Sequence, residues 1–329
     1  MRTFKNTSKK FITKENLEYR LFHLPTAFCF MIILMLLYGV LADHYYSWNN
    51  ISNIFNQAAP LLVLACGQTL IVLMQGTDLS VGAMVNVIGV LWFTWLNLGL
   101  PLWLSVLFCL MAGAVFGFLN GAIAAFPGLP VFIVTLGTQN IFRSAALLIS
   151  GDKTLYSSVH SFRFMVNNGF LGLSWSVWIG LLCFLLTWVI LRKTTFGAKV
   201  TGAGGNPETL LLSGASIKRT KILAFMYAGF MAAVGALLLC CRIESGNPNA
   251  GNGLEFNSIA AVLLGGTSLR EGKGGVEGTI FGVLLFQILK SGLTQIGISS
   301  IYQNAILGAT VLAAIILDDL IQTRRSIRG

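Results

Sequence analysis

Long apolar runs, each about as long as a bilayer is thick, dominate this chain. A helix needs about 20 predominantly apolar residues to cross the hydrocarbon core. Ten stretches meet or approach that requirement: 24–42, 58–75, 80–97, 101–125, 130–150, 170–191, 220–241, 257–268, 277–297 and 301–319. The eighth is short, which predicts a broken or partly inserted helix near 257–268. Hydrophobic residues make up 55% of the chain and charged residues only 10%, with mean hydropathy +0.76. Soluble domains are about a quarter charged, so this apolar surface must face lipid. The expected fold class is an all-α integral membrane protein of about ten transmembrane helices. Pro25, Pro60, Pro101, Pro127 and Pro130 fall near expected span ends, and Pro207 and Pro248 fall in loops. None is expected at a span centre, where it would break a helix.

Loop charge orients the spans, because cytoplasmic loops collect Lys and Arg. The N-terminal segment carries Arg2, Lys5, Lys9, Lys10, Lys14 and Arg20, and the C-terminal tail carries Arg324, Arg325 and Arg328. Ten spans place both ends inside, as they do 192–221, with Arg192, Lys193, Lys199, Lys218, Arg219 and Lys221. The short loop 269–276, with Arg270 and Lys273, also falls inside, while 43–57 falls outside and has neither Lys nor Arg. The expected division is a cytoplasmic segment 1–21, a transmembrane domain 22–322 and a cytoplasmic tail 323–329. The net charge of +10 is then explained by topology and anionic lipid, not by nucleic acid. No cleavable signal peptide is expected, because a full span follows the basic start. The six cysteines lie in or beside apolar runs and read as small hydrophobes. His23, His44 and His160 are far apart and form no metal motif.

The segment 192–221 is the most informative water-facing part. Asn206 and Pro207 resemble an N-cap and first helical residue. Glu208 to Ser213 can then form a short helix ending at Gly214. Leu210 and Leu211 would be exposed on it, framed by basic residues, as on a docking surface for another protein. The competing reading is an amphipathic loop lying on the membrane.

Polar groups within the spans are costly unless paired, capping or wet. Asp78 reads first as a helix cap and second as a substrate contact. Arg143 is expected to face the bundle and bond carbonyls or a carboxylate, with a pathway or gating role second; Lys290 is read likewise. Asn120, Gln139 and Asn140 either bond between helices or line a pathway. The glycine density of 265–282 suggests a reentrant or unwound segment near a subunit interface or a translocation path. Gly76-Thr77-Asp78-Leu79 faintly echoes Gly266-Thr267-Ser268-Leu269, as an internal repeat would.

One set of motifs carries a family resemblance. It comprises Gly76 to Gly82, Val134 to Thr138 with Arg143, Thr195 to Gly197, Gly204 to Asn206, Ser213-Gly214 and Gly253 to Glu255. Ile259 to Ala261, Gly265 to Ser268, Gly272 to Gly275 and Gly278 to Gly282 complete it. In this order, over about 50–320, the chain resembles permease subunits of ATP-binding-cassette (ABC) importers for monosaccharides, of the ribose, xylose, arabinose and allose type, which includes autoinducer-2 permeases. The resemblance implies that Asn206, Pro207, Glu208, Leu210, Leu211, Ser213 and Gly214 form a helix that couples to an ABC ATPase subunit. It implies a periplasmic or lipid-tethered solute-binding protein and a second permease copy, alike or related, in the bacterial inner membrane. The chain departs from the family pattern at Gln75 to Thr77, where two glycines and an aliphatic residue are usual, and at Ser144 and Ala215.

No cofactor is expected on this chain. A phosphate-binding loop needs G-x-x-x-x-G-K-[ST]; the nearest match puts Thr267 at the first Gly and Gly274 at the Ser/Thr. The run Gly202 to Asn206 lacks the third glycine of a dinucleotide fingerprint. ATP is therefore expected to be used by a separate chain. Two other classes are weighed. A secondary transporter or facilitator would need no docking helix, and a membrane enzyme would need a metal or nucleophile set that the sequence does not offer.

Overall fold

The computed structural model describes residues 26–126, 128–157, 162–299, 301–303, 305–310 and 312. The expected segments 1–21 and 323–329 lie outside them, as do Pro25, Pro127, His23 and His160. The helices are α1 (Thr26–Leu41), α2 (Trp48–Leu73), α3 (Val81–Asn97), α4 (Leu102–Ala125), α5 (Val131–Ser150), α6 (Arg163–Asn167) and α7 (Trp175–Lys193). They continue as α8 (Thr195–Gly205), α9 (Pro207–Leu212), α10 (Ile217–Ile243), α11 (Leu254–Leu264) and α12 (Val276–Gln295). Residues 301–303, 305–310 and 312 are also helical. A hairpin of β1 (Gly169–Phe170) and β2 (Leu173–Ser174) precedes α7. It occupies the start of a stretch expected to be helical from 170, where Gly172 takes φ +79° and turns the chain.

Among the described residues, six helices are long and apolar enough to cross a membrane: α2, α4, α5, α7, α10 and α12. Shorter apolar helices fill 27–41, α3 and α11. Helix α11 has 11 residues and is about 16 Å long at 1.5 Å per residue. It is therefore a half-helix, in the region where a broken one was expected.

Helix α2 is the hub. In its most apolar window, 89% of residues are buried within the protein, and α1, α7, α10, α11 and α12 feed side chains into the core it centres. It begins ten residues before the expected span, because Ser47 caps it by accepting the Asn50 N–H at 3.3 Å. Pro60 consequently lies inside α2, not near its end. Hydropathy located the apolar part of this helix and missed its polar first turns.

Helices α4 and α10 meet along small residues. A Cβ at Gly113 would strike the Gly229 carbonyl, one at Gly117 the Phe225 carbonyl, and one at Gly121 the Ile222 backbone. Without a hydrophobic force between helices in lipid, such close backbone approach supplies the packing energy. Glycine serves α11 and α12 in the same way: Gly278 lies against the Gly265 carbonyl and Gly282 against the Ala261 carbonyl. The unwound segment therefore ends at Gly275. Glycines 278 and 282 belong to a packed helix, contrary to an unwound reading of all of 265–282.

All six cysteines are free thiols, with Cys29 exposed and the rest buried.

Gly229→Val should force α4 and α10 apart and cost about 1–3 kcal/mol, as overpacking does. Thermal unfolding in detergent should show a melting temperature several degrees lower. An unchanged melting temperature would show that this crossing does not hold the bundle.

Candidate functional site: a backbone junction and a polar cluster

Three segments meet where α2 breaks. After Leu73 the chain turns, with Gln75 in the left-handed region at φ +59°. The Gln75 N–H bonds the Val72 carbonyl at 2.9 Å and the Gly76 N–H bonds Ile71 at 2.9 Å. Helix α11 ends in the same pattern: the Gly266 N–H bonds Leu263 at 2.9 Å, the Thr267 N–H bonds Val262 at 3.2 Å, and Gly266 has φ +84°. Both are Schellman-type ends. The structural equivalence pairs Gln75 with Gly266, one residue out of step with the sequence echo of Gly76 and Gly266. The position that needs positive φ sets the register, and in the first copy it is filled by glutamine.

That glutamine is tied down. Its Nε2 donates to the Gly204 carbonyl at 2.9 Å and to the Arg270 carbonyl at 2.8 Å. Gly204, in α8, and Gly272 pack backbone to backbone beside the Leu73 carbonyl, leaving no room for a side chain at either. The loop 265–275 is itself closed. Thr267 Oγ1 donates to the Gly275 carbonyl at 3.2 Å and accepts its N–H at 3.3 Å, and Ser268 pairs with Lys273.

The segment 192–221 is largely helical rather than a long loop. Thr194 ends α7 and caps α8 by accepting the Gly197 N–H at 3.2 Å. Asn206 caps α9 through Oδ1, accepting the Thr209 N–H at 3.0 Å, and Pro207 follows in the first turn. Glu208 lies in that turn, where its charge suits the helix dipole. Ser213 donates back to the Leu210 carbonyl at 2.6 Å, and Gly214 takes φ +77° just beyond it. Capping chemistry made this helix legible, but its outer face is shifted. Leu210 packs over Gly202 and is half-buried. Leu211 is exposed at 58%, and Leu212, which the sequence reading passed over, at 90%. Counting the helical turn from the Asn206 cap could have found Leu212. Glu277, also unforeseen, fixes the base of this segment: its carboxylate receives Arg192 Nε at 2.6 Å, Arg192 Nη2 at 3.1 Å and Trp188 Nε1 at 3.1 Å.

Asp78 is buried and holds the turn that leads into α3. Its Oδ1 accepts the Ser80 N–H at 2.8 Å and the Ser80 hydroxyl at 2.6 Å at the start of α3. Gln68 Nε2 donates to the Asp78 carbonyl at 2.6 Å, and Asn120 Nδ2 to Ser80 Oγ at 2.8 Å. Asn120 thus bonds between helices, fully buried.

Arg143 departs from expectation. It is exposed, and no hydrogen bond or ion pair among the described residues holds it. Packing of α5 on α3 buries the side of α5 carrying Val134, Thr138, Phe142 and Ala146, which leaves Arg143 at the margin. Gln139, one turn earlier, is half-buried and donates to Glu255 Oε1 at 3.2 Å. Asn140 is exposed and donates to the Leu136 carbonyl of its own helix, at 3.2 Å. Lys290 is likewise exposed.

Glu255, in the first turn of α11, is the residue that the sequence reading quoted in a motif without assigning it a site. It is 5% exposed, and its Oε2 is buried with no hydrogen-bond partner. Above it, Asn86 Oδ1 accepts the Gly251 N–H at 2.6 Å, and Asn86 Nδ2 donates to Asn252 Oδ1 at 2.9 Å. The site residues thus form two groups, a backbone junction around Gln75 and α8–α9 and a polar cluster where Gln139 of α5 meets Glu255 of α11. Lys290 belongs to neither.

Comparison with known proteins follows this geometry. The chain matches, over residues 50–315, the family described as branched-chain amino acid transport system / permease component. It is 31% identical to a ribose import permease protein of Haemophilus influenzae, over 91% of this chain and 94% of that one. It is 33% identical to the ribose import permease protein of Bacillus subtilis, over 88% and 90%. It is 29% identical to the D-allose transport system permease protein of Escherichia coli, over 89% and 91%. No solved structure matches. With a family match over residues 50–315 and a bundle of apolar helices, the chain belongs to the family of branched-chain amino acid transport system / permease components.

Proposed function

We propose that this chain is the membrane-spanning permease subunit of an ABC importer that carries a monosaccharide or sugar-like solute into the cytoplasm. Membership of a permease family supports the transport role, and relatives named for ribose, allose and galactose import support the solute class. The family description mentions branched-chain amino acids, but these relatives, matched over nearly their whole length, are named for sugars. An ATPase subunit and a solute-binding protein go with such a permease. The further reading is a multi-pass protein of the bacterial inner membrane, with ten spans, both termini inside and a second permease copy beside it.

The observation that carries the coupling role is α9. It is a capped helix with two outward leucines, seated on a basic segment, and is built as a knob for another protein's cleft. Asn206 and Pro207 start it, Glu208 suits its dipole, Leu210 anchors it to α8, Leu211 and Leu212 face out, and Ser213 and Gly214 close it. A secondary transporter would have no use for such a projection. ATP binding and hydrolysis belong to the partner ATPase, and no cofactor belongs to this chain.

Leu211→Glu with Leu212→Glu tests this reading. Both side chains lie in water, so the fold should change by less than about 0.5 kcal/mol, while an apolar hot spot lost from an interface costs about 2 kcal/mol or more. Uptake by the reconstituted importer should fall more than tenfold, and the ATPase should no longer co-purify. Undiminished uptake would remove α9 from the coupling path.

A further inference from the structure

A cleft of about 480 Å³ opens between α7, α8 and α10. Ile190 of α7, Phe196 of α8 and Leu223, Met226, Tyr227 and Phe230 of α10 line it, with Ala114 of α4. Leu223 and Met226 are exposed, so the cleft is open on the outside of the bundle. Its side-chain hydroxyls are already spent on the protein. Tyr227 OH and Thr187 Oγ1 pair at 2.6 Å. Thr194 Oγ1 donates to the Ile190 carbonyl at 2.6 Å and accepts the Gly197 N–H at 3.2 Å. What the cleft presents is therefore hydrocarbon. One end of it is basic. On α10, Arg219 precedes Leu223 by four residues, and on α8, Lys199 follows Phe196 by three, so each shares the face that lines the cleft. Both are exposed, and no ion pair among the described residues holds either. Glu277 and Glu271 are taken by Arg192 and Lys273. The other end is apolar. Phe230 lies about 16 Å along α10 from Arg219 at 1.5 Å per residue, close to half of a roughly 30 Å hydrocarbon core. Helices α4, α7 and α10 are all long and apolar enough to cross that core. Two unpaired cations above an apolar cleft one leaflet deep complement an anionic amphiphile.

We propose that this cleft binds one anionic phospholipid, with its phosphate between Lys199 and Arg219 and one acyl chain running along α10 as far as Phe230. A polar solute would find no free hydroxyl to bond there, whereas an acyl chain needs none. A zwitterionic lipid would fill the apolar part but bring no net charge to the two cations. The inference needs only that the bundle lies in a bilayer, and it stands apart from the importer reading. It gives Lys199 and Arg219 a ligand, beyond their part in orienting the spans. Helix α9 lies in sequence between α8 and α10, so a lipid bound to both would brace the segment that carries it.

Native mass spectrometry of the full chain tests the proposal. The chain is purified in a neutral detergent, incubated with dioleoyl phosphatidylglycerol or dioleoyl phosphatidylcholine, and released from the micelle. The wild-type chain should retain one phosphatidylglycerol at a concentration about tenfold or more below that needed for phosphatidylcholine, since each basic side chain at the headgroup favours anionic lipid about fivefold. Lys199→Gln with Arg219→Gln should remove that preference and leave the melting temperature without lipid unchanged, because both side chains are exposed. Ala114→Phe, which fills the cleft and keeps both charges, should weaken retention of either lipid about fivefold or more, as overfilling a packed site does. Should Ala114→Phe unfold, the glutamine pair decides alone. Equal retention of the two lipids by the wild-type chain, or of neither, would overturn the proposal. A preference that survives in the glutamine pair would place the lipid elsewhere and overturn the site. Undiminished retention by folded Ala114→Phe would remove the acyl chain from the cleft. Failure of the importer reading would leave each of these results unchanged.

Discussion

A peptide group inside a bilayer has no water to bond, so every interruption of a helix must be satisfied by the protein itself. This constraint shapes the centre of the molecule. Where α2 gives way to α3, Gln68 bonds the Asp78 carbonyl, Thr135 bonds the Thr77 carbonyl and the Asp78 carboxylate accepts the Ser80 N–H just before the new helix. On the descent from α10 to α11, Asn86 receives the Gly251 N–H. Between α11 and α12, Thr267 serves both polar groups of Gly275. The polar residues that stand out in an otherwise apolar sequence are thus largely the partners of broken backbone, while Glu255 Oε2 is left buried without a hydrogen-bond partner.

The same satisfied breaks link the apolar bundle to α8 and α9. Gln75 bonds a carbonyl of α8 and a carbonyl of the 265–275 loop, and Gly204, Gly272 and Leu73 touch through backbone atoms. Backbone contacts leave little slack, since a packed interior moves between discrete arrangements rather than by gradual deformation. On the proposed reading, a push on α9 reaches α8 through Leu210 and Gly202, and then the ends of α2 and α11 through this junction. Gln75 accepts an unfavourable left-handed conformation where glycine would be free of strain, and its two side-chain hydrogen bonds offset that cost.

Much of this was legible from the residues alone. The long apolar helices fall within or across the expected apolar runs, because lipid imposes length and composition directly. The Asn206 cap, Pro207 and Gly214 placed α9 to within a residue, because caps are local chemistry. Packing decisions were not legible. Nothing local to Arg143 says that α5 turns its opposite side to α3, or that Leu210 rather than Leu212 lies against α8. Pro60 fell inside α2 because a serine cap carried that helix back through polar residues that hydropathy discounts. Glu255 escaped notice because its significance lies in a missing partner, which only the folded neighbourhood reveals.

Solute transport driven by another chain's ATP is the central claim, and accumulation against a gradient tests it most directly. The permease would be reconstituted in liposomes with its ATPase and binding protein, with no ion gradient across the membrane, and uptake of labelled ribose, allose and galactose followed. The account predicts accumulation of at least one of these sugars above the external concentration, only when ATP is supplied to the ATPase side. Accumulation driven by a proton or sodium gradient without the ATPase would contradict it.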